Sequence, residues 1–509
     1  MLSKTFIMST KDSKTPQIVK QRSPLYTKAY SKNVIATNIF MGICVVIIVC
    51  ILALITRGYS LGSGGNIEQS GLLQFKVQPS AANVRIDNKY DLFRQSSTNR
   101  LLRPGLHDIK ASKDGYDSWQ QKVHIEPGLL TDINWIRLFP LKKHLKTLIS
   151  PLAPPSFVAS TPNHRFFIYL EKDSGLLHVF NLESDPVTDK SLALTSILSN
   201  SKPDTTNTPP PQNCQVLNWN QKNSAAIMAC NYQEQKHFFL LNLEELSSSF
   251  NLSLKTPIAL QDVQFSNDAN QKFWLLSQDS KLLYYDLESQ SAKTIATNVQ
   301  KISRSDRKLL YQRNKIVDNK TQSYLYFLPH VKAKAIKIQR IHHPKHCLFI
   351  MANYWNKDWV YLVDGQKITI FSDLNSSIIN LRAQFAKNKS FHISFQPDQI
   401  DKNFNNQIIT LNHNQEHFAY NLNNSESHYF FSPKDHSSNG WIDDYLRYDI
   451  VDQALNVYDF DGNNYRKVLD SKYQILPAST AVISNDNNSL FFFSIDTNGQ
   501  GQLQKLKLQ

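Results

Sequence analysis

His342, His343, His346 and Cys347, in the run HHPKHC, form the densest set of potential metal ligands in this sequence of 509 residues. Imidazole nitrogens and a thiolate suit zinc, but a closed site needs four ligands in a tetrahedral array. Pro344 bends the run and no second cluster supplies closure, so it reads as a solvated turn entering a strand at Cys347-Leu348-Phe349. Asp459-Phe460-Asp461-Gly462-Asn463 carries the oxygen ligands of a calcium loop, which asks for glycine sixth and a bidentate glutamate twelfth. Gly462 stands fourth and Asp470 twelfth, which makes a hairpin turn the better reading. His107, beside Pro104-Gly105, reads as a satisfied turn residue. Tyr116 and Trp119 could stack on a sugar, but packing against a sheet is the simpler role. No G-x-S-x-G elbow, H-E-x-x-H helix or G-x-x-x-x-G-K-[ST] loop occurs. No catalytic, cofactor-binding or metal-binding residue is therefore assigned, and the chain is read as a non-enzyme without cofactor.

What remains is architecture and location. Hydrophobic residues make up 41% of the chain, charged residues 19% and aromatics 11%, a balance that excludes disorder, coiled coil and a polytopic membrane protein. Its length calls for two or three folded units. The run VIATNIFMGICVVIIVCILALIT, residues 34–56, has no charge and makes about 34 Å of helix, enough to span a bilayer. Residues 1–33 carry seven cations against Asp12 alone, which the positive-inside rule keeps in the cytoplasm. A cleaved signal would have a shorter apolar core and small residues at its cleavage site. Neither Cys44 nor Cys50 follows the small residue that lipoprotein processing needs.

Cys44 and Cys50 lie in the anchor, which leaves Cys214, Cys230 and Cys347 outside it. Cys214 and Cys230 could pair if their strands adjoin, but the preferred reading is buried free thiols. The part beyond the anchor carries about +8 of the net +14, a mild positive surface that suits solubility, anionic wall polymers or lipid headgroups better than nucleic acid.

After the anchor, GYSLGSGGN (58–66) reads as a flexible spacer. From Leu72 the chain alternates as half-buried strands do, with Phe75 and Val77, then Val84 and Ile86, on one side and a turn over 79–83. Pro104-Gly105 and Asp114-Gly115 punctuate further strands that carry Leu106, Ile109, Val123 and Ile125. Val77, Pro79, Ala82, Val84, Ile86, Asp87, then Leu102, Pro104, Gly105, His107, Ile109, Gly115 and Tyr116, closed by V-x-I-x-P-G, resemble a PEGA domain. The match covers about 70 residues, with Pro79-Ser80-Ala81-Ala82 in place of the name-giving tetrapeptide, Asn88 where glycine is usual, and DLFRQSSTNR in place of a short link. The resemblance implies a small β-sandwich module of a bacterial surface protein, with an interaction or spacer role.

From Leu145 a phrase recurs: an apolar strand, a polar turn, a second apolar strand and a close on Leu or Asp-Leu. Copies start at Asn163, Asn220, Phe265, Ser303, His342, Phe395, Trp441 and Ile483, close to 46 residues apart. That period, with several short strands per copy, is what β-propeller blades require. SNDNNSLFFF and YDFDGNN resemble the TolB/WD40-like propeller repeat. The Pro-rich stretch around 205–212 reads as a surface insertion, and paired β-sandwiches are the runner-up architecture.

The expected fold is thus all-β behind one N-terminal transmembrane helix. It comprises a basic tail (1–33), the helix (34–56), a linker (57–70), a PEGA-like sandwich (71–141) and a seven- or eight-bladed propeller (145–509). The expected function is a membrane-tethered extracytoplasmic scaffold. It contacts the bilayer through 34–56, and an envelope protein or anionic wall polymer through its outer part, with no nucleic acid. The alternative is an extracytoplasmic hydrolase with carboxylates in the propeller channel.

Overall fold

The computed structural model describes residues 24–61, 66–90, 97–198, 209–266, 271–305, 307–372, 388–432 and 438–509. The basic tail up to residue 23, most of DLFRQSSTNR and the stretch 199–208 therefore lie outside the described residues. By its contacts the chain forms two units, one of 1–73, 100–105 and 124–131, the other of 74–99, 106–123 and 132–509.

The first unit contains the helix Pro24–Thr56, whose segment Val34–Thr56 is long and apolar enough to cross a membrane and has none of its length buried. The spacer that follows is ordered where described. Tyr59–Leu61 pairs antiparallel with Ile67–Gln69, and the Gln69 amide donates to the Arg57 carbonyl at 3.2 Å.

The second unit begins in a small strand-rich module, in which Asn83–Ile86 pairs antiparallel with Lys89–Tyr90 on one side and, over residues 109–112, with Gly105–Ser112 on the other. Phe75, Val77, Val84, Ile109 and Trp119 are buried, as the alternation requires. Leu106 is exposed, a departure from the expected pattern that leaves Ile109 and Ala111 to fill the core on that strand. Asn88 takes φ +63° beside Asp87 at +49°, so the expected left-handed turn stands without glycine.

Beyond it lie eight four-stranded antiparallel sheets, within 155–193, 212–251, 260–296, 299–341, 347–392, 399–431 and 438–469 for blades 1 to 7. Blade 8 is composite. Val482–Ile483, Ser489–Ile495 and Gly501–Lys507 are joined at the edge by Leu145–Leu152 from the start of the domain, with Leu145 opposite Leu506. One sheet thereby ties both ends of the domain together. Eight apolar clusters occupy the eight spaces between successive blades, including Phe167, Tyr169, Phe493 and Leu503 between blades 8 and 1. The ring is closed, and paired sandwiches are ruled out by this regularity.

The composition of each strand follows its place. Phe166–Glu171 reads FFIYLE and is buried almost throughout, since a second strand packs on a neighbouring blade through each face. The outermost strand of the same blade, Thr188–Ala193, is mostly exposed and polar.

Cys214 and Cys230 form a disulfide, which corrects the expectation of free thiols. Both lie in adjacent strands of blade 2, and the register slips between Gln212 and Gln215, which brings Cys214 opposite Cys230. The bridge closes a short loop, with a sequence separation of 16. Replacing both cysteines by alanine is expected to lower stability by about 3 kcal/mol. Chemical denaturation of the oxidised wild type and the double variant checks this; equal midpoints would show that the bridge adds nothing.

Candidate functional site

Inside the ring the first strand of each blade faces a central channel, and the turns after those strands form its rim. A cavity of about 1130 Å³ opens there, lined from seven of the blades by amide, cationic and small side chains together with the aromatic Trp219, Phe404, Trp441 and Tyr448. Asn218, Asn353 and Asn403 supply amides, Arg304, Lys308 and Lys402 supply cations, and Asp401 is the carboxylate of the described lining.

Each cation is held by the ring. Arg304 donates to the carbonyls of Phe265 (3.0 Å) and Trp219 (3.1 Å), so a side chain of blade 4 ties down blades 2 and 3. Lys308 pairs with the buried carboxylate of Asp358. Lys402 Nζ donates to the Met351 carbonyl at 3.1 Å. Burial pulls the Lys402 ammonium down to about 8, with Asp401 working against that shift and Arg304 adding to it. Burial likewise raises Asp401, against the N–H of Lys402 and the charge of Arg447. Solvent reaches Asp401 through the channel, yet protein surrounds it.

The residues singled out in the sequence do not gather into this site. His342 and His343 both turn to Asp364, with Nδ1 at 3.1 and 3.2 Å and their peptide N–H groups at 2.8 and 2.6 Å. Burial alone would raise the Asp364 carboxyl, but these donors outweigh it and hold it below its usual range. His346 ends the short turn Pro344–His346. Burial, with the charge of Asp364 adding to it, pushes the Cys347 thiol up to about 12. His107 sits 2.6 Å from Asp87 as a satisfied turn residue. Among the described residues no group of three or more His, Cys, Asp and Glu could hold a metal ion.

Trp119 and the Asp459 turn have a role that their local spacing did not reveal: they meet each other. Trp119 is fully buried and its Nε1–H donates to Asp459 Oδ2 at 2.7 Å. Gln121 donates to Asp461 at 2.6 Å, and the Gln120 N–H to Asn464 at 3.1 Å. The turn is sharp enough for this because Gly462 has φ +84°, and a Cβ there would lie 2.4 Å from Phe430. Alongside, Arg137 donates to Asn487 at 2.6 Å and lies 3.6 Å from Asp443, while Arg466 lies 3.4 Å from Asp117. Trp135 stacks on Tyr445 (5.3 Å between centroids) and meets Phe460 edge-on at 5.2 Å. Phe139 completes the joint by entering the cluster between blades 7 and 8. The strand-rich module's residues 106–123 and 132–139 are thus keyed to blades 7 and 8 by buried polar and aromatic contacts. Burial, and next the charge of Asp461, push the Asp459 carboxyl up to about 7, against Arg466, Trp119 and Asn464.

The channel amides carried a sequence signal after all. Asn220–Asn223, Asn353–Asn356 and Asn403–Asn406 repeat an N-x-x-N spacing at the turn after a blade's first strand, and all six line the cavity.

No family model matches the chain, and no curated protein matches it. Solved structures match it only at low similarity. The C-terminal WD40 domain of Sif2 is 11% identical, with a TM-score of 0.41 over 72% of this chain and 99% of that one. An oligogalacturonate lyase from Vibrio parahaemolyticus is 10% identical, with a TM-score of 0.37 over 69% of this chain and 98% of that one. At such values the likeness bears on no function. The propeller rests on its eight sheets.

Proposed function

We propose that this chain is a membrane-tethered extracytoplasmic binding protein that offers a PEGA-like module and a propeller, joined as one platform, to an envelope protein or wall glycan. The observation that carries this reading is the channel lining, where amides and cations surround a single described carboxylate. Hydrolysis of a glycosidic bond generally calls for two carboxyl groups about 5–9.5 Å apart, so this lining favours binding over the hydrolase alternative. The apolar helix with its basic leading segment supports a tether with the bulk outside, and the Cys214–Cys230 bridge suits an oxidising compartment.

A reporter fused after Gln509 is expected to be active outside the cytoplasm; cytoplasmic activity would overturn the topology. The full chain in detergent is expected to retain a partner from envelope extract. An empty eluate against both protein and glycan fractions would sink the binding reading.

A further inference from the structure

We infer that the channel rim at blade 5 is a binding site for an acidic oligosaccharide, with Trp355 as its stacking surface and Asn353, Asn356 and Lys402 as its polar contacts. This rests on the binding reading above and specifies its ligand.

The argument starts from a residue that is costly where it stands. Trp355 and Asn356 are the two central residues of the turn between Cys347–Tyr354 and Lys357–Asp364, with φ of +50° and +57°. Such turns select Asn, Asp or Gly, because a side chain crowds the left-handed backbone. The comparable pairs in this chain, Asp87-Asn88, Gln233-Glu234, Asp318-Asn319 and Asp452-Gln453, are all polar. Trp355 is the one large apolar side chain in that conformation among the described residues. It is also 79% exposed, so its indole gives folding almost no burial in return. A bulky residue in a strained conformation, without a packing gain, points to use by a ligand.

Its surroundings fit a sugar. Asn353 and Asn356, on either side of it, line the cavity, and the Tyr354 ring lies 6.0 Å from the Trp355 ring. An indole face covers the apolar C–H face of a pyranose, while primary amides both donate to and accept from hydroxyls. Among the described lining residues the cations Arg304, Lys308 and Lys402 outnumber the carboxylate Asp401, and they still leave a net positive charge after Lys308 is paired with Asp358, which favours a carboxylate-bearing sugar over a neutral one. Single-stranded nucleic acid also stacks on aromatics, but needs a continuous cationic track, which Arg304, Lys308 and Lys402, the cations of the described lining, do not form.

The test titrates the full chain in detergent with a uronic-acid hexasaccharide, an N-acetylglucosamine hexamer and a thymidine hexanucleotide, followed by tryptophan fluorescence and calorimetry. The acidic sugar is expected to bind about tenfold more tightly than the neutral one. W355N, which suits the turn, is expected to lose at least about tenfold in affinity with its melting temperature unchanged or raised. K402Q is expected to remove the preference for the acidic sugar. Wild-type affinity in W355N, equal binding of the neutral hexamer, or tighter binding of the oligonucleotide would overturn the inference. If no sugar binds while an envelope protein is still captured, this inference falls and the binding reading stands; if neither binds, both fall.

Discussion

Replacing Trp119 by alanine is expected to destabilise the fold by about 3–5 kcal/mol, the range for truncating a large buried aromatic side chain. Two effects add in this variant. The indole leaves a cavity at a fully buried position, and Asp459 loses its 2.7 Å donor while still enclosed. W119F separates them: it keeps most of the apolar volume and removes the N–H, so a loss of about 1–3 kcal/mol is expected. Denaturant midpoints give the totals, and proteolysis in the segment 140–145 reports the joint itself. A W119A midpoint within experimental error of wild type would mean that the module is not keyed to blade 7 through this residue.

The joint also shows where sequence reading stops. Trp119 was legible as a packing aromatic and Asp459 to Asn463 as a turn, but their contact spans 340 residues and no local pattern encodes it. The propeller was more legible, because periodicity is local. Each of the eight phrases falls in its own sheet, but several miss the blade's first strand: the phrase at Asn163 begins after Pro155–Ser160 and the one at Asn220 after Gln212–Trp219, whereas those at His342 and Phe395 begin before the first strands Cys347–Tyr354 and Gln399–Lys402. The first strand of a blade borders water in the channel, so Ala159, Ser160, Asn218 and Gln264 break the apolar signal that marks the second and third strands. The closing strand Leu145–Leu152 was invisible for the reason Trp119's partner was, since its partner lies at the other end of the domain. Cys214 and Cys230 turned on a register slip of the kind that spacing alone does not reveal. Trp355 was passed over because a tryptophan in a β-rich sequence reads as core, and only its backbone conformation and exposure set it apart.

As pH rises from about 4 to 7, the fold is expected to lose stability, and the largest single share of that loss is assigned to Asp459. Its carboxyl titrates near 7 in the fold and near 3.8 when unfolded, so the folded state binds the extra proton in that interval and is weakened as the proton leaves. Above pH 7 the full difference has been lost, about 4 kcal/mol for a shift of this size. Asp262 and Asp444, each raised to about 6 by burial, act in the same direction. His178 does too: burial would lower it, but Asp189 and Glu171 outweigh burial and raise it. His164 and His237, lowered by burial, oppose the trend because they resist protonation as pH falls. The lowered carboxyls Asp87 and Asp364 contribute a constant amount from about pH 5 upward, where both states are ionised well above the ordinary value of 3.8. D459N isolates the group with the largest single shift: the amide oxygen still accepts from Trp119, no charge is buried beside Asp461, and Arg466 keeps Asp117 as a partner at 3.4 Å. The variant is therefore expected to match wild type at pH 4 and to exceed its stability increasingly up to pH 7, with a constant gap beyond. Melting curves of the two proteins that run parallel from pH 4 to 8 would show that the carboxylate at the joint is not titrating in this interval.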